Sequence, residues 1–240
     1  VLARNPAGRL QKPSGEKRLR VGFSDEHLSA LFGVCDLETS LGFRDYTLML
    51  LLLDTGIRVE ELCKLTLDDV REGYLTIWGK GRKEREVGIS PTTAKFLWKY
   101  ANLHRAAEND EVRALFTNIC GRRLTSSGVE QIFDKVAEAA GLPDNVAVTP
   151  HKLRHTFART WLERGGDVYS LSRLLGHSTV KITEIYLEDF KSRQARVQHA
   201  QFSPLGKLLV RQRGHGRHTY NHGPRSGGLK PRQLAGEEPK

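Results

Sequence analysis

The chain has 240 residues, 38% of them apolar, and its longest apolar run, Leu48 to Leu53, is far too short to span a bilayer, so it reads as a soluble, cytoplasmic protein with no membrane partner. Three cysteines, Cys35, Cys63 and Cys120, lie scattered without C-x-x-C spacing, so neither a disulfide framework nor a zinc knuckle is suggested. The net charge of +10 invites a nucleic-acid reading, but residues 191–240 hold eleven Lys/Arg against two Glu and residues 1–20 hold six against one, leaving the middle of the chain net negative. Any DNA-binding face on the folded part must therefore come from local clusters.

Residues 1–20 are basic, interrupted by Pro6, Gly8, Pro13 and Gly15, and lack apolar periodicity. They read as a linker, and with Val1 in place of a methionine they imply an upstream segment. Ser24 predicts the N-cap of a short helix carrying Leu28, Leu31 and Phe32; Tyr46 to Leu53 predicts a second helix ended by Thr55-Gly56; and Glu60 to Leu67 supplies another helical turn or two. Tyr74 to Trp78 and Glu86 to Ser90 are short β-branched or aromatic runs around Gly79-Lys-Gly-Arg-Lys-Glu-Arg85, a hairpin with a basic turn and the one clear sheet signal.

Ser90-Pro91 opens a helix with Phe96, Leu97 and Tyr100 on it. Ser127 with Glu130 reads as a capping box for a helix running to Gly141. Thr149-Pro150 repeats the cap-plus-proline signal before His151 to Glu163, which Gly165-Gly166 ends, and Asp167 caps a helix stopping at Gly176. A last helix is predicted near Thr179 to Asp189. Residues 191–210 suggest an amphipathic helix with Val197, Leu205 and Leu208, and 211–240 a Gly/Arg/His/Pro-rich disordered tail.

Four segments carry chemistry: Thr55-Gly-Ile-Arg-Val-Glu-Glu-Leu62, the basic hairpin turn 79–85, His151-Lys-Leu-Arg-His-Thr-Phe157, and Leu175-Gly-His-Ser178 with Tyr186 following. Each alone is weak. Together, in this order over residues 21–190, they closely resemble the catalytic domain of the tyrosine recombinase (phage integrase) family. The resemblance implies a mainly α-helical (α+β) catalytic domain with a small antiparallel hairpin or sheet. It matches Arg58 to the first family arginine, Lys80 to the hairpin lysine, His151 and Arg154 to the H-x-x-R pair, His177 to the second histidine and Tyr186 to the nucleophile.

It further implies attack of Tyr186 on a DNA phosphate, a 3′-phosphotyrosyl link, a freed 5′-hydroxyl, and reversal by another strand's 5′-hydroxyl without ATP, metal or other cofactor. Double-stranded DNA is the expected partner, held by a dimer or tetramer, with an upstream core-binding domain outside this chain. Residues 191–210 are expected to pack on a neighbouring protomer. Arg82, Lys83, Arg85 and Lys152 are the expected further DNA contacts.

The residue types suit this chemistry on physical grounds. Phosphoryl transfer concentrates negative charge on the non-bridging oxygens, and without a metal that charge must be met by side chains. A guanidinium stays charged and offers two parallel hydrogen bonds, which a lysine cannot reproduce. The leaving 5′-oxygen needs a proton, so a general acid such as Lys80 supplies roughly 10²–10⁴-fold acceleration. Tyr186, with an ordinary pKa of about 10, needs a base or a strongly positive site, which His151 and the arginines offer. His151, Arg154 and His155 fall at i, i+3 and i+4 on one helical face, in a first turn whose free N–H groups favour phosphate.

Competing readings exist for several positions. Lys83 is an alternative acid, and Tyr169 and Tyr220 are alternative tyrosines that fall outside the motif order. His155 reads as a helix or core histidine. The histidines in His215-Gly-Arg-His-Thr-Tyr-Asn-His222 read as charge and solubility rather than as a metal site. At the level of function, the alternatives are a type IB topoisomerase-like relaxing enzyme and a catalytically silent DNA-binding remnant of a mobile element.

Overall fold

The computed structural model describes residues 22–79, 84–143, 145–177, 179, 180 and 183. Among them are seven α-helices and one small antiparallel sheet. Helix α1 (Asp25–Gly33) begins where expected: Ser24 Oγ accepts from the His27 N–H at 3.3 Å while His27 Nδ1 accepts the Ser24 N–H at 3.4 Å. Helix α2 (Ser40–Thr55) starts six residues before Tyr46, where the sequence announces it. Thr39 Oγ1 caps it by accepting from Gly42 N–H at 3.1 Å, and its first turn carries Phe43 and a buried Arg44 that donates to the Thr117 carbonyl. It ends at Gly56 in the left-handed region, φ 62°, and α3 (Val59–Lys64) follows after two residues.

The sheet has the order β1 (Val70–Arg71), β2 (Tyr74–Trp78), β3 (Glu84–Gly88), with Thr76 opposite Glu86 and Ile77 opposite Arg85. Strand β1 was not legible, because two residues leave no alternation. Strand β3 begins two residues earlier than the hairpin reading placed it, so Arg85 belongs to the strand and shares a face with the buried Val87.

Ser90 and Pro91 open α4 (Pro91–Lys99), which continues through one π-helical turn, Tyr100–His104. Helix α5 (Ser126–Ala139) is capped by Thr125, whose Oγ1 accepts from Gly128 N–H at 3.1 Å; Ser127, the expected cap, lies inside the first turn. Helix α6 (Pro150–Glu163) carries the expected Thr149 cap, and α7 (Val168–Leu174) the expected Asp167 cap. The linker 1–20, the helix expected at 179–189 apart from three of its residues, the segment 191–210 and the tail 211–240 lie outside the described residues.

Helix α2 is central, packing on α4 and α6, and its Leu48, Leu51 and Leu52 are wholly buried in a core shared with Phe133 of α5 and Leu153 of α6. A second cluster, Ala158, Leu162, Leu171 and Leu175, joins α6 to α7. Each leucine buried there contributes about 1.5–3 kcal/mol, which holds α7 against the second half of α6. No helix among the described residues is long and apolar enough to cross a membrane.

Candidate active site

The first turn of α6 presents His151 to solvent, while Arg154 is 4% exposed and His155 is buried with its ring edge-on to that of His151, centroids 4.2 Å apart. A buried guanidinium is tolerated only when its donors are matched. Arg154 Nη1 donates to the Gly56 carbonyl at 2.6 Å, and Nη2 lies 2.8 Å from the Leu175 carbonyl and 2.9 Å from His177 Nε2. The end of α2, the start of α6 and the end of α7 are thereby tied at one side chain.

The end of α7 explains the rest of the arrangement. Gly176 adopts φ 62°, its N–H donates to the Arg173 carbonyl, and the His177 N–H donates to the Ser172 carbonyl at 3.0 Å, a Schellman turn. Three successive carbonyls at the negative end of this helix then receive arginines. Arg85 Nε donates to Leu174 O at 2.9 Å, Arg154 to Leu175 O, and Arg58 Nη2 to Gly176 O at 3.2 Å. The turn that delivers His177 therefore gathers three guanidinium groups from three different elements.

Arg58 is the N-cap residue of α3, and its own N–H is accepted by Glu61 Oε2 at 2.9 Å. Glu61 also takes Arg58 Nη1 on Oε1 at 3.2 Å and both terminal nitrogens of Arg85, at 2.9 and 2.8 Å. Burial alone would raise the Glu61 carboxyl, but the hydrogen bonds from Arg85 and the Arg58 backbone, with both guanidinium charges, hold it below the ordinary carboxylate range. The Arg58 side chain remains 41% exposed, against 16% for Arg85.

Burial and the charges of Arg154, Arg58 and Arg85 push the His177 imidazole down to about 4. It is therefore neutral near pH 7. Because Arg154 must donate to Nε2, the proton sits on Nδ1, which faces Thr183 Oγ1 at 2.8 Å. Lys152 lies with Nζ 4.6 Å above the Phe23 ring, and burial lowers its pKa. Phe23 N–H in turn donates to Thr156 Oγ1 at 2.8 Å, which seats the start of the described chain on α6.

Of the residues expected from sequence, Arg58, Arg154 and His177 are brought together through the α7 turn, and His151 lies on the same α6 face one turn from Arg154. Lys80, Arg82, Lys83 and Tyr186 lie outside the described residues. Arg85 differs from the expectation of a basic turn open to solvent, because strand pairing turns it inward onto Glu61 and Leu174. Sequence reasoning assigned no role to Glu61, Thr183 or the Gly56 carbonyl. Glu61 had a legible signal, standing three residues after Arg58 at the start of a helix, but the other two act only through tertiary contacts.

The phage integrase family model matches residues 23–193. The chain is 34% identical over 206 residues to tyrosine recombinase XerD of Staphylococcus haemolyticus (strain JCSC1435), covering 84% of this chain and 69% of that protein. The crystal structure of XerA recombinase superposes with a TM-score of 0.64 at 30% identity, over 81% of this chain and 67% of its own. The Tn1549 transposon integrase in complex with circular intermediate DNA has a similar fold, with a TM-score of 0.61 at 20% identity over 77% and 68% of the two chains.

Proposed function

The chain belongs to the phage integrase family and is a tyrosine site-specific recombinase, and from that premise we propose that it cleaves and rejoins duplex DNA through Tyr186. The observation that carries the assignment of the site is the convergence of Arg58 and Arg154 on the turn that delivers His177. The Tyr186 phenolic oxygen attacks the scissile phosphorus, the bond to the 5′-oxygen breaks, and the DNA 3′-phosphate remains on the tyrosine. The departing oxygen takes a proton from Lys80. A second strand's 5′-hydroxyl then displaces the tyrosine, so bond count is conserved and neither ATP nor any other cofactor is consumed.

Arg58 and Arg154 meet the charge that grows on the non-bridging oxygens, a task for which a fixed, preorganised donor is worth roughly 10²–10³-fold. The bonds from Arg154 to Gly56 O and Leu175 O supply that fixity. Neutral His177 steadies Nη2 of Arg154, and exposed His151 stands ready to accept the phenol proton. Lys152, Arg82 and Lys83 add backbone contacts, making affinity fall with salt. Exchange between two duplexes calls for a dimer or tetramer on DNA.

The test is a nicked substrate that loses its short 5′-hydroxyl fragment after cleavage and so traps the intermediate. A covalent protein–DNA adduct is expected with the wild type and none with Tyr186→Phe. An adduct that survives the substitution overturns the assignment.

A further inference from the structure

Among the described residues, Arg85 is an expected DNA contact that the fold takes largely out of solvent, and its partners give it another task. Glu61 has two oxygens, and each receives a short bond from Arg85, Nη1 to Oε1 at 2.9 Å and Nη2 to Oε2 at 2.8 Å, the parallel geometry in which a guanidinium binds a carboxylate most strongly. The Arg58 side chain reaches the same carboxylate only through one longer contact of 3.2 Å. Three charges therefore share one small volume, and the two that neutralise each other closely are the two most buried. The surplus positive charge falls on Arg58, the exposed member.

The surroundings hold this partition in place. Arg85 lies on the inner face of β3 and its Nε is bonded to Leu174 O. The Arg85 guanidinium also fills the space beside Gly176, where a Cβ would come within 2.9 Å of Cζ and Nη1. Arg85 therefore packs directly against the α7 turn while it is bonded to Glu61.

We propose that Arg85 is a positioning residue that occupies the charge of Glu61 so that Arg58 keeps its own for the scissile phosphate. The inference rests on the proposed recombinase site and adds a residue that does not touch DNA. Without the Arg85 charge, Glu61 has Arg58 as its remaining guanidinium partner and pulls it into a neutral pair. The site then loses one of its two phosphate-binding charges although Arg58 itself is intact.

Changing the substrate separates a charge effect from a folding effect. A methylphosphonate at the scissile position carries no negative charge, so it does not need the second arginine. Wild-type adduct formation on both nicked substrates, checked first, tests the recombinase reading itself. On the phosphate, Arg85→Met is expected to lower the cleavage rate about 10²-fold, the size of one lost electrostatic donor. On the methylphosphonate, its rate is expected within about tenfold of wild type.

Replacing Glu61 as well, in E61Q/R85M, removes the competing carboxylate and is expected to recover most of the loss on the phosphate. That variant leaves no buried lone charge, so it keeps the comparison available if R85M does not fold. Arg85→Lys, which keeps the charge but not the fork, is expected to lose less than R85M. Equal loss for R85M on the two substrates, a loss of about 10²-fold or more for E61Q/R85M on the phosphate, or R85M activity equal to wild type on the phosphate, overturns the proposal.

Discussion

A single methyl group added at Gly56 strikes the site from beneath. Gly56 has φ 62°, and a Cβ there would lie 2.4 Å from Phe157 Cδ1 and 2.9 Å from Leu175 Cδ2. Two costs follow for Gly56→Ala: about 1–2 kcal/mol for a non-glycine residue in the left-handed region and about 1–3 kcal/mol for overpacking between α6 and α7. The sum, roughly 2–5 kcal/mol, is a large share of a typical domain's 5–15 kcal/mol. Gly141 supplies an internal control, since it has φ 58° but nothing within 4 Å of its added Cβ. Urea denaturation should show Gly141→Ala losing only the backbone cost and Gly56→Ala losing clearly more, with unchanged m-values. Because the Gly56 carbonyl anchors Arg154, Gly56→Ala should also slow strand cleavage under conditions where it remains folded. Equal destabilisation by the two substitutions would refute the packing argument.

Three further outcomes are expected. Lys80→Ala should cleave a normal strand poorly but recover on a substrate with a 5′-thio leaving group, which departs without a proton; no recovery means that Lys80 is not the acid. For His177 the folded value of about 4 lies below the ordinary 6.5, so between those values the unfolded chain binds more protons. Its stabilising contribution is complete above about pH 6.5 and is lost as the pH falls toward 4. Urea titrations across that window should show a shallower pH slope in His177→Gln than in wild type, and equal slopes would contradict the burial and charge argument. Thr183→Val removes the Nδ1 partner and should slow cleavage about tenfold, the equivalent of one hydrogen bond, with Thr183→Ser restoring the rate and wild-type speed in the valine variant refuting the role.

What was legible in the sequence is what short-range physics decides. Ser24, Ser90-Pro91, Thr149-Pro150 and Asp167 announce helix starts because a cap bonds only two or three residues ahead, and all four start where expected. The i, i+3 spacing of His151 and Arg154 was likewise enough to put them on one face of α6. The first turn of α2 was missed because its polar Ser40, Arg44 and Asp45 hide a helix whose burial depends on Thr117 and on neighbours far along the chain. Arg85 was misplaced because the limit of β3 is set by its pairing with β2, while the run Lys80 to Arg85 reads locally as a solvated turn. The grouping of three arginines on successive carbonyls of α7 arises from chain segments more than a hundred residues apart in the case of Arg58 and Gly176, and no local signal carries it.

The most direct test of the account is to locate the DNA on the protein. After trapping the cleavage intermediate on a nicked substrate and digesting both components, mass spectrometry should find the nucleotide on the peptide that contains Tyr186, linked through a 3′-phosphate. A nucleotide on Tyr169, on Tyr220 or on a residue other than tyrosine would contradict the placement of the nucleophile and the site built around it.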